Sequence, residues 1–340
     1  MNKIVENVIS ASFAIITAPV WIPVYTVKGI ATNVTNKKEQ KDDVIDQKEP
    51  QVELGNNNTA NNMKETNKGE IEMEEKILTK VNYKDIKNVK LIYPDEIYKD
   101  MKAISKILSI KDFDDFQKRI EDAQLGSGYT ALFYGAPGTG KTESVLQIAK
   151  RCGRTIYKID IADIQSKYIG ETGSRVRRTF KAYSNLCRNA KQRNQPIPIL
   201  LINEADALLS KRHGFDGCNP VSIQDNNQVQ NILLEEFENN KGIIFMTTNM
   251  GENLDEAFER RIFDRIKFRI PDAKTRAKIW KDKVKFLSDE QINIIARDFK
   301  LSGGDINVIS RNIIKNQIVN NRNPSFNEIY KMCKSYKIHS

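Results

Sequence analysis

Histidine and paired cysteine are what this chain of 340 residues most lacks. It has two histidines and four scattered cysteines, Cys152, Cys187, Cys218 and Cys333. No two cysteines stand at metal-ligand or redox spacing, which argues against zinc-finger, Cys-x-x-Cys and disulfide-framework classes and implies a reducing compartment. Also missing is a basic stripe interleaved with aromatics, although the net charge is +10. The charge therefore reads as a lysine-rich soluble surface rather than a nucleic-acid interface; an acidic protein or an anionic membrane would also suit it. Apolar residues make up 39%, enough for an ordinary core.

Asn7 to Val27 is uncharged and long enough to span a bilayer. Trp21 and Tyr25 near one end suit an interface, and Lys28, Lys37, Lys38 and Lys41 after it would leave the rest in the cytoplasm. Pro19 and Pro23 interrupt it. Two readings stand for residues 1–32: a membrane anchor, or a helix that docks on a partner or on the body of the protein. Residues 33–94, with runs such as Gly55-Asn56-Asn57-Asn58-Thr59, are expected to form a flexible polar linker.

From Asp95 onward helical patterns alternate with short apolar runs. Strands are predicted at 130–134, 155–159, 197–202, 243–248 and 266–270. Near-continuous apolar strands separated by helices predict an α/β domain over 95–270, a parallel sheet covered on both faces. After Pro271 only helical patterns remain, at 274–286, 288–299, 305–320 and 325–336. They predict a small all-helical lid over 271–340.

Gly135-Ala136-Pro137-Gly138-Thr139-Gly140-Lys141-Thr142 satisfies G-x-x-x-x-G-K-[ST] at every fixed position. A strand precedes it and a helix follows, from Thr142 to Cys152. The glycines let backbone N–H groups converge on phosphate oxygens, and the helix N-terminus adds its positive end. In this motif Lys141 reaches the β- and γ-phosphates and Thr142 ligates Mg²⁺. Glu143 opens the helix beside them.

Together with Leu200-Leu201-Ile202-Asn203-Glu204-Ala205-Asp206, this loop makes residues 100–336 resemble an AAA+ ATPase. The likeness is greatest to single-ring bacterial members whose Walker B segment also reads Asn-Glu-Ala-Asp. The resemblance implies that Glu204 polarises the attacking water. Asn203 then replaces the Asp that supports the Mg²⁺ shell, keeping an oxygen acceptor but losing the charge. Thr247-Thr248-Asn249 resembles the first sensor, with Asn249 holding the water and watching the γ-phosphate. Glu259-Arg260-Arg261-Ile262-Phe263-Asp264-Arg265 resembles the arginine-finger segment. Arg260 and Arg261 align best, and Arg265 is a third candidate because one extra residue separates the usual Arg-Phe-Asp-Arg spacing. Gly303, Gly304 and Asn307 match the second-sensor segment, where small residues let a helix approach base and ribose.

Ser166-Lys167-Tyr168-Ile169-Gly170-Glu171 resembles the first pore loop of protein-remodelling members, in which an aromatic and an aliphatic grip extended polypeptide. Tyr168 and Ile169 would be those residues, and the polar run Lys211–Asn227 is a weaker match to a second pore loop. The resemblance thus implies a homo-oligomeric, hexameric ring. It would use ATP and Mg²⁺ to remodel, unfold or disassemble a protein substrate. An ATP-binding assembly switch with little hydrolysis, motivated by Asn203, and a nucleic-acid-associated ATPase are the alternatives.

Overall fold

The structure, a computed structural model, describes residues 78–160, 171–209, 220–250 and 255–338. Its centre is a six-stranded sheet. The strands are β1 (Thr79–Val81), β2 (Tyr129–Gly135), β3 (Ile156–Asp160), β4 (Ile199–Asn203), β5 (Ile243–Thr248) and β6 (Asp264–Phe268). Their spatial order is β1-β3-β4-β5-β2-β6. All neighbours are parallel except β1, which lies antiparallel on β3.

The alternation within the apolar runs explains why both faces are covered. Leu200, Ile202, Ile244 and Met246 point to one side. There they meet Val176 and Phe180 of α4 (Glu171–Gln192) and Ile232 and Phe237 of α6 (Pro220–Glu238). Ile199, Leu201, Ile243 and Phe245 point to the other. They meet Met101 and Ile104 of α1 (Asp95–Ile107), Phe113 of α2 (Ile110–Asp122) and Val145 and Ile148 of α3 (Lys141–Cys152). Successive strand residues face opposite ways, so a strand buried on both sides must be apolar throughout. Two short helices, α5 (Asp206–Leu209) and α7 (Glu256–Glu259), follow β4 and β5.

The lid consists of α8 (Ala273–Lys283), α9 (Asp289–Asp298), α10 (Gly303–Asn320) and α11 (Phe326–Ile338) around a separate core that buries Trp280, Ile295, Ile306 and Ile329. Its helices start on side-chain caps. Asp272 accepts from the Thr275 N–H, and Ser288 and Ser302 each form a reciprocal capping box, which satisfies N–H groups a helix start leaves orphaned.

Two expectations need correction. The fold begins before Asp95: Leu78 is buried, β1 pairs with β3, and Ile86 lies in the core. The last part of the expected 33–94 linker therefore belongs to the body. A three-residue edge strand, Thr-Lys-Val, carries too little pattern to read as one. The polar run to Asn227 is also helical from Pro220, where proline suits the first helical position. Residues 211–219 lie outside the described residues, as do 7–27. Among the described residues no helix is long and apolar enough to cross a membrane.

Candidate nucleotide site

β2 delivers the chain to the loop, and α3 takes it away. Gly135, Gly138 and Gly140 all have positive φ, at 128°, 70° and 96°. A side chain on Gly135 would stand 2.1 Å from the Phe268 carbonyl oxygen on the neighbouring strand, so only glycine fits there. Thr139 Oγ1 donates to the Ala136 carbonyl at 2.7 Å and closes the turn. The resulting cleft, about 290 Å³, is lined by Pro137, Gly138, Lys141, Thr142, Asn203, Glu204 and Asn249 among others. The N-terminus of α3 opens into it, a site suited to an anion.

The side chains in this cleft hold one another. Lys141 Nζ donates to the carbonyls of Gly135 (2.8 Å) and Ala136 (2.9 Å) and to Asn249 Oδ1 (2.8 Å). Those three bonds use all its protons. Burial lowers the pKa of this ammonium, while Asp206 and Glu204 pull it back up. Asn203 Oδ1 accepts from Thr142 Oγ1 (2.7 Å) and from Thr247 Oγ1 (2.8 Å). The amide oxygen thus fills the acceptor role a carboxylate oxygen would fill. Thr142 gives away its only proton in that bond, which leaves its lone pairs free for a cation. A hydroxyl, an amide oxygen and a nearby carboxylate form an all-oxygen donor set, the kind Mg²⁺ prefers.

Glu204 follows directly with φ 54°. Left-handed backbone is uncommon for a residue with a side chain and collects at functional sites. The turn lets the Glu204 N–H reach Thr247 Oγ1 (3.3 Å) and the Ala205 N–H reach the Thr247 carbonyl (2.8 Å). It leaves Glu204 exposed at the cleft. Asp206, two residues further, anchors the end of β5. Its Oδ1 accepts from Thr248 Oγ1, from the Asn249 N–H (2.8 Å) and from the Met250 N–H (3.1 Å).

A family model, that of the ATPase family associated with various cellular activities (AAA), matches residues 131–270. Residues 131–270 are an AAA ATPase domain. Cell division protein C of Sulfolobus acidocaldarius is 30% identical over 173 residues, 50% of this chain and 44% of that protein. The ATP-dependent zinc metalloprotease FtsH of Lachnoclostridium phytofermentans is 33% identical over 176 residues, 49% of this chain and 28% of that protein. Spastin of Drosophila erecta is 30% identical over 152 residues, 43% and 18% respectively. The chain spans less than half the length of each of these relatives.

The remaining candidates fall into three groups. Arg260, Arg261 and Arg265 lie at the far end of β6. There Asp264 pairs with Ala131, whereas Phe268 pairs with Gly135 beside the loop. Four residues of strand, about 13 Å, separate the two ends. Arg260 is exposed. Arg261 donates to the Ala257 carbonyl (2.9 Å) and pairs with Glu238 (2.9 Å), and Arg265 pairs with Glu259 at 2.7 Å. In the lid, the Gly304 N–H donates to the Gly138 carbonyl at 2.8 Å. A side chain on Gly304 would meet Gly138 Cα at 2.9 Å, so the second-sensor glycines touch the phosphate loop itself. Asn307 is exposed and is not part of the cleft lining. Tyr168 and Ile169 lie outside the described residues.

Sequence reasoning passed over Thr247 and Asp206. A signal for Asp206 existed: the Thr-Thr-Asn end of β5 leaves backbone N–H groups that need an acceptor.

Proposed function

We propose that this chain is a Mg²⁺-dependent ATPase that assembles head-to-tail into a ring and remodels a protein substrate threaded through its centre. The observation that carries the reading is the pair of side-chain hydrogen bonds lining one cleft, Lys141 to Asn249 and Thr142 to Asn203, with the Glu204 carboxylate exposed beside them.

ATP phosphates would lie against the loop N–H groups of 135–142 and take over donors that Lys141 now gives to carbonyls. Thr142, with Asn203 behind it, would hold Mg²⁺, which supplies charge relief on the phosphate oxygens when bound. Glu204 would orient and polarise the attacking water. Asn249 can accept from Lys141 while its amide N–H₂ donates toward the γ-phosphate or that water. Gly303 and Gly304 would bring the lid against the nucleotide.

Arg260 and Arg261 stand a strand length from their own loop, so the phosphates they serve belong to a neighbouring copy. A guanidinium is always charged and bridges phosphate oxygens well. Such head-to-tail contacts close into rings, and a hexamer is the expected size. Substrate grip is assigned to Tyr168 and Ile169 from their sequence context alone. The relative that is by name an ATP-dependent protease supports action on proteins.

The test is steady-state ATP hydrolysis by the full chain against protein concentration. Turnover per subunit should rise with concentration and be lost in Glu204→Gln and Arg261→Ala. Concentration-independent turnover would remove the shared site. Tyr168→Ala should abolish remodelling and leave ATP binding intact. Tight ATP binding without turnover in the unaltered chain would favour the alternative that Asn203 motivates, an ATP-controlled assembly switch.

A further inference from the structure

Residues 86–93, upstream of α1, run along the phosphate-loop helix toward its start. Lys150 Nζ donates to the Ile86 carbonyl, and Gln147 Nε2 donates to the Lys87 carbonyl at 2.8 Å. Tyr93 meets Ser144, and Leu91 Cδ2 lies 3.7 Å from where a Cβ on Gly140 would stand. The contacts then alternate. Leu91 and Tyr93 face the loop and its helix, whereas Lys90 pairs with Asp282 of α8 at 3.2 Å and Ile92 packs on the lid core. One short strap therefore touches the phosphate loop with one set of side chains and the lid with the other.

The hydrogen bonds at its end form a chain with a direction. Ser144 is buried, and its Oγ donates to the Gly140 carbonyl at 2.7 Å. A serine hydroxyl has one proton. The 2.8 Å contact between Tyr93 OH and Ser144 Oγ must then be a bond donated by tyrosine. Gly140 is the left-handed cap from which α3 starts, and its carbonyl also accepts the Ser144 N–H at 2.8 Å. Burial raises the pKa of the Tyr93 phenol, with Ser144 opposing it, so the donor keeps its proton at neutral pH. Tyr93 also sits edge-on to Phe268, with ring centroids 6.4 Å apart.

We propose that Tyr93 is a positioning residue for the phosphate loop, fixing the Gly140 cap through Ser144 and tying that cap to the lid through its neighbours Lys90 and Ile92. This rests on the reading of residues 135–142 as the phosphate site. Tyr93 touches neither Glu204 nor Asn249, so its effect falls on nucleotide affinity and not on the chemical step.

The experiment measures Kd for a fluorescent ATP analogue and for ADP, with KM and kcat, in the full chain carrying Tyr93→Phe, Ser144→Ala or both. Phenylalanine keeps the ring against Phe268 and removes only the donor, and thermal melting confirms that the fold is intact. Tyr93→Phe should raise Kd and KM about fivefold, the effect of one net hydrogen bond, with kcat within about twofold of the unaltered chain. The double variant should be no worse than the weaker-binding single one, because both changes cut one chain of bonds. An unchanged Kd, a fall in kcat at constant KM, or losses that add would each overturn the proposal. Lys141→Ala separates the two levels. If Lys141→Ala abolishes binding and Tyr93→Phe changes nothing, only the role of Tyr93 falls. If the unaltered chain binds no nucleotide, or Lys141→Ala binds as well as it does, the phosphate-site reading falls and takes this role with it.

Discussion

The two ends of the parallel strands use polar side chains in opposite ways. At the amino ends, Arg154 is fully buried and donates to the carbonyls of Leu108 (2.8 Å), Ile197 (2.7 Å) and Ser109 (3.3 Å), with its guanidinium 4.8 Å from the Phe113 ring centre. Tyr183 is equally enclosed. Its hydroxyl accepts from the Ile243 N–H at 2.7 Å and lies 2.9 and 2.8 Å from the Pro198 and Ile243 carbonyl oxygens. These partners are backbone, so the bonds open only if the strand starts or the connection between α1 and α2 move. At the carboxyl ends, Lys141 bonds Asn249 as well as two loop carbonyls, and Thr142 and Thr247 both bond Asn203. Side-chain partners can be exchanged for a ligand without moving a strand. Equal polarity therefore gives a clamp at one end and a site at the other. The difference lies in what the groups are bonded to and how far they are from water.

That contrast can be broken first at Glu204. Glu204→Gln removes the negative charge next to Asn203 in the cleft lining while keeping the side chain's size. Turnover should fall about a hundredfold or more, with ATP affinity nearly unchanged. A variant that keeps a tenth of normal turnover would show that the water is polarised elsewhere. The matching change at the other end is Arg154→Leu. It leaves several buried carbonyls without a donor and should lower stability by about 3 kcal/mol. Turnover per folded molecule should stay the same. Urea unfolding and single-turnover hydrolysis on the same sample decide it, and a loss of turnover with unchanged stability would merge the two ends into one functional unit.

Asp206 sits between these extremes, because its carboxylate holds both backbone and side-chain groups of the β5 terminus. Asp206→Ala should release Asn249 and cost about tenfold in kcat, with only a small change in ATP affinity. An unchanged kcat would mean that Asn249 is placed by Lys141 alone. Tyr183→Phe should be milder still, about 1 kcal/mol of stability and no change in kinetics.

Legibility in the sequence follows the same division. β4 and β5 could be read because burial on both faces forces Ile199–Ile202 and Ile243–Met246 to be apolar without interruption. The phosphate loop could be read because glycines at three positive-φ positions and a Lys-Thr pair leave few other uses for such a string. Thr79–Val81 could not, because an edge strand of three residues shows neither periodicity nor length. The strap was hidden for a related reason: Leu91 and Tyr93 are committed to one body and Lys90 and Ile92 to another, within a single period. The start of α6 was hidden because Gln224, Asp225, Asn226 and Asn227 are polar, and polar residues announce loops and exposed helices alike. Asp206 was hidden by its company. Beside the Asn-Glu pair it looked like a flank, and its hydrogen bonds go to a segment some forty residues away, at 248–250.

The finest test of the contrast concerns Asn203, which differs from aspartate by one atom and one charge. Its Oδ1 already accepts from Thr142 and Thr247, as a carboxylate oxygen would. Asn203→Asp therefore adds charge and leaves the hydrogen-bond geometry in place. Hard divalent cations bind anionic oxygen more tightly than amide oxygen. The Mg²⁺ concentration for half-maximal hydrolysis should fall, by about threefold on the scale of one partly exposed charge contact, with kcat scarcely moved. That result would mean the amide serves a working site of lower Mg²⁺ affinity. If kcat instead rose by two orders of magnitude, the natural residue would be a brake. The cleft would then bind ATP chiefly to hold an assembly together, with Glu204 idle until the charge was restored.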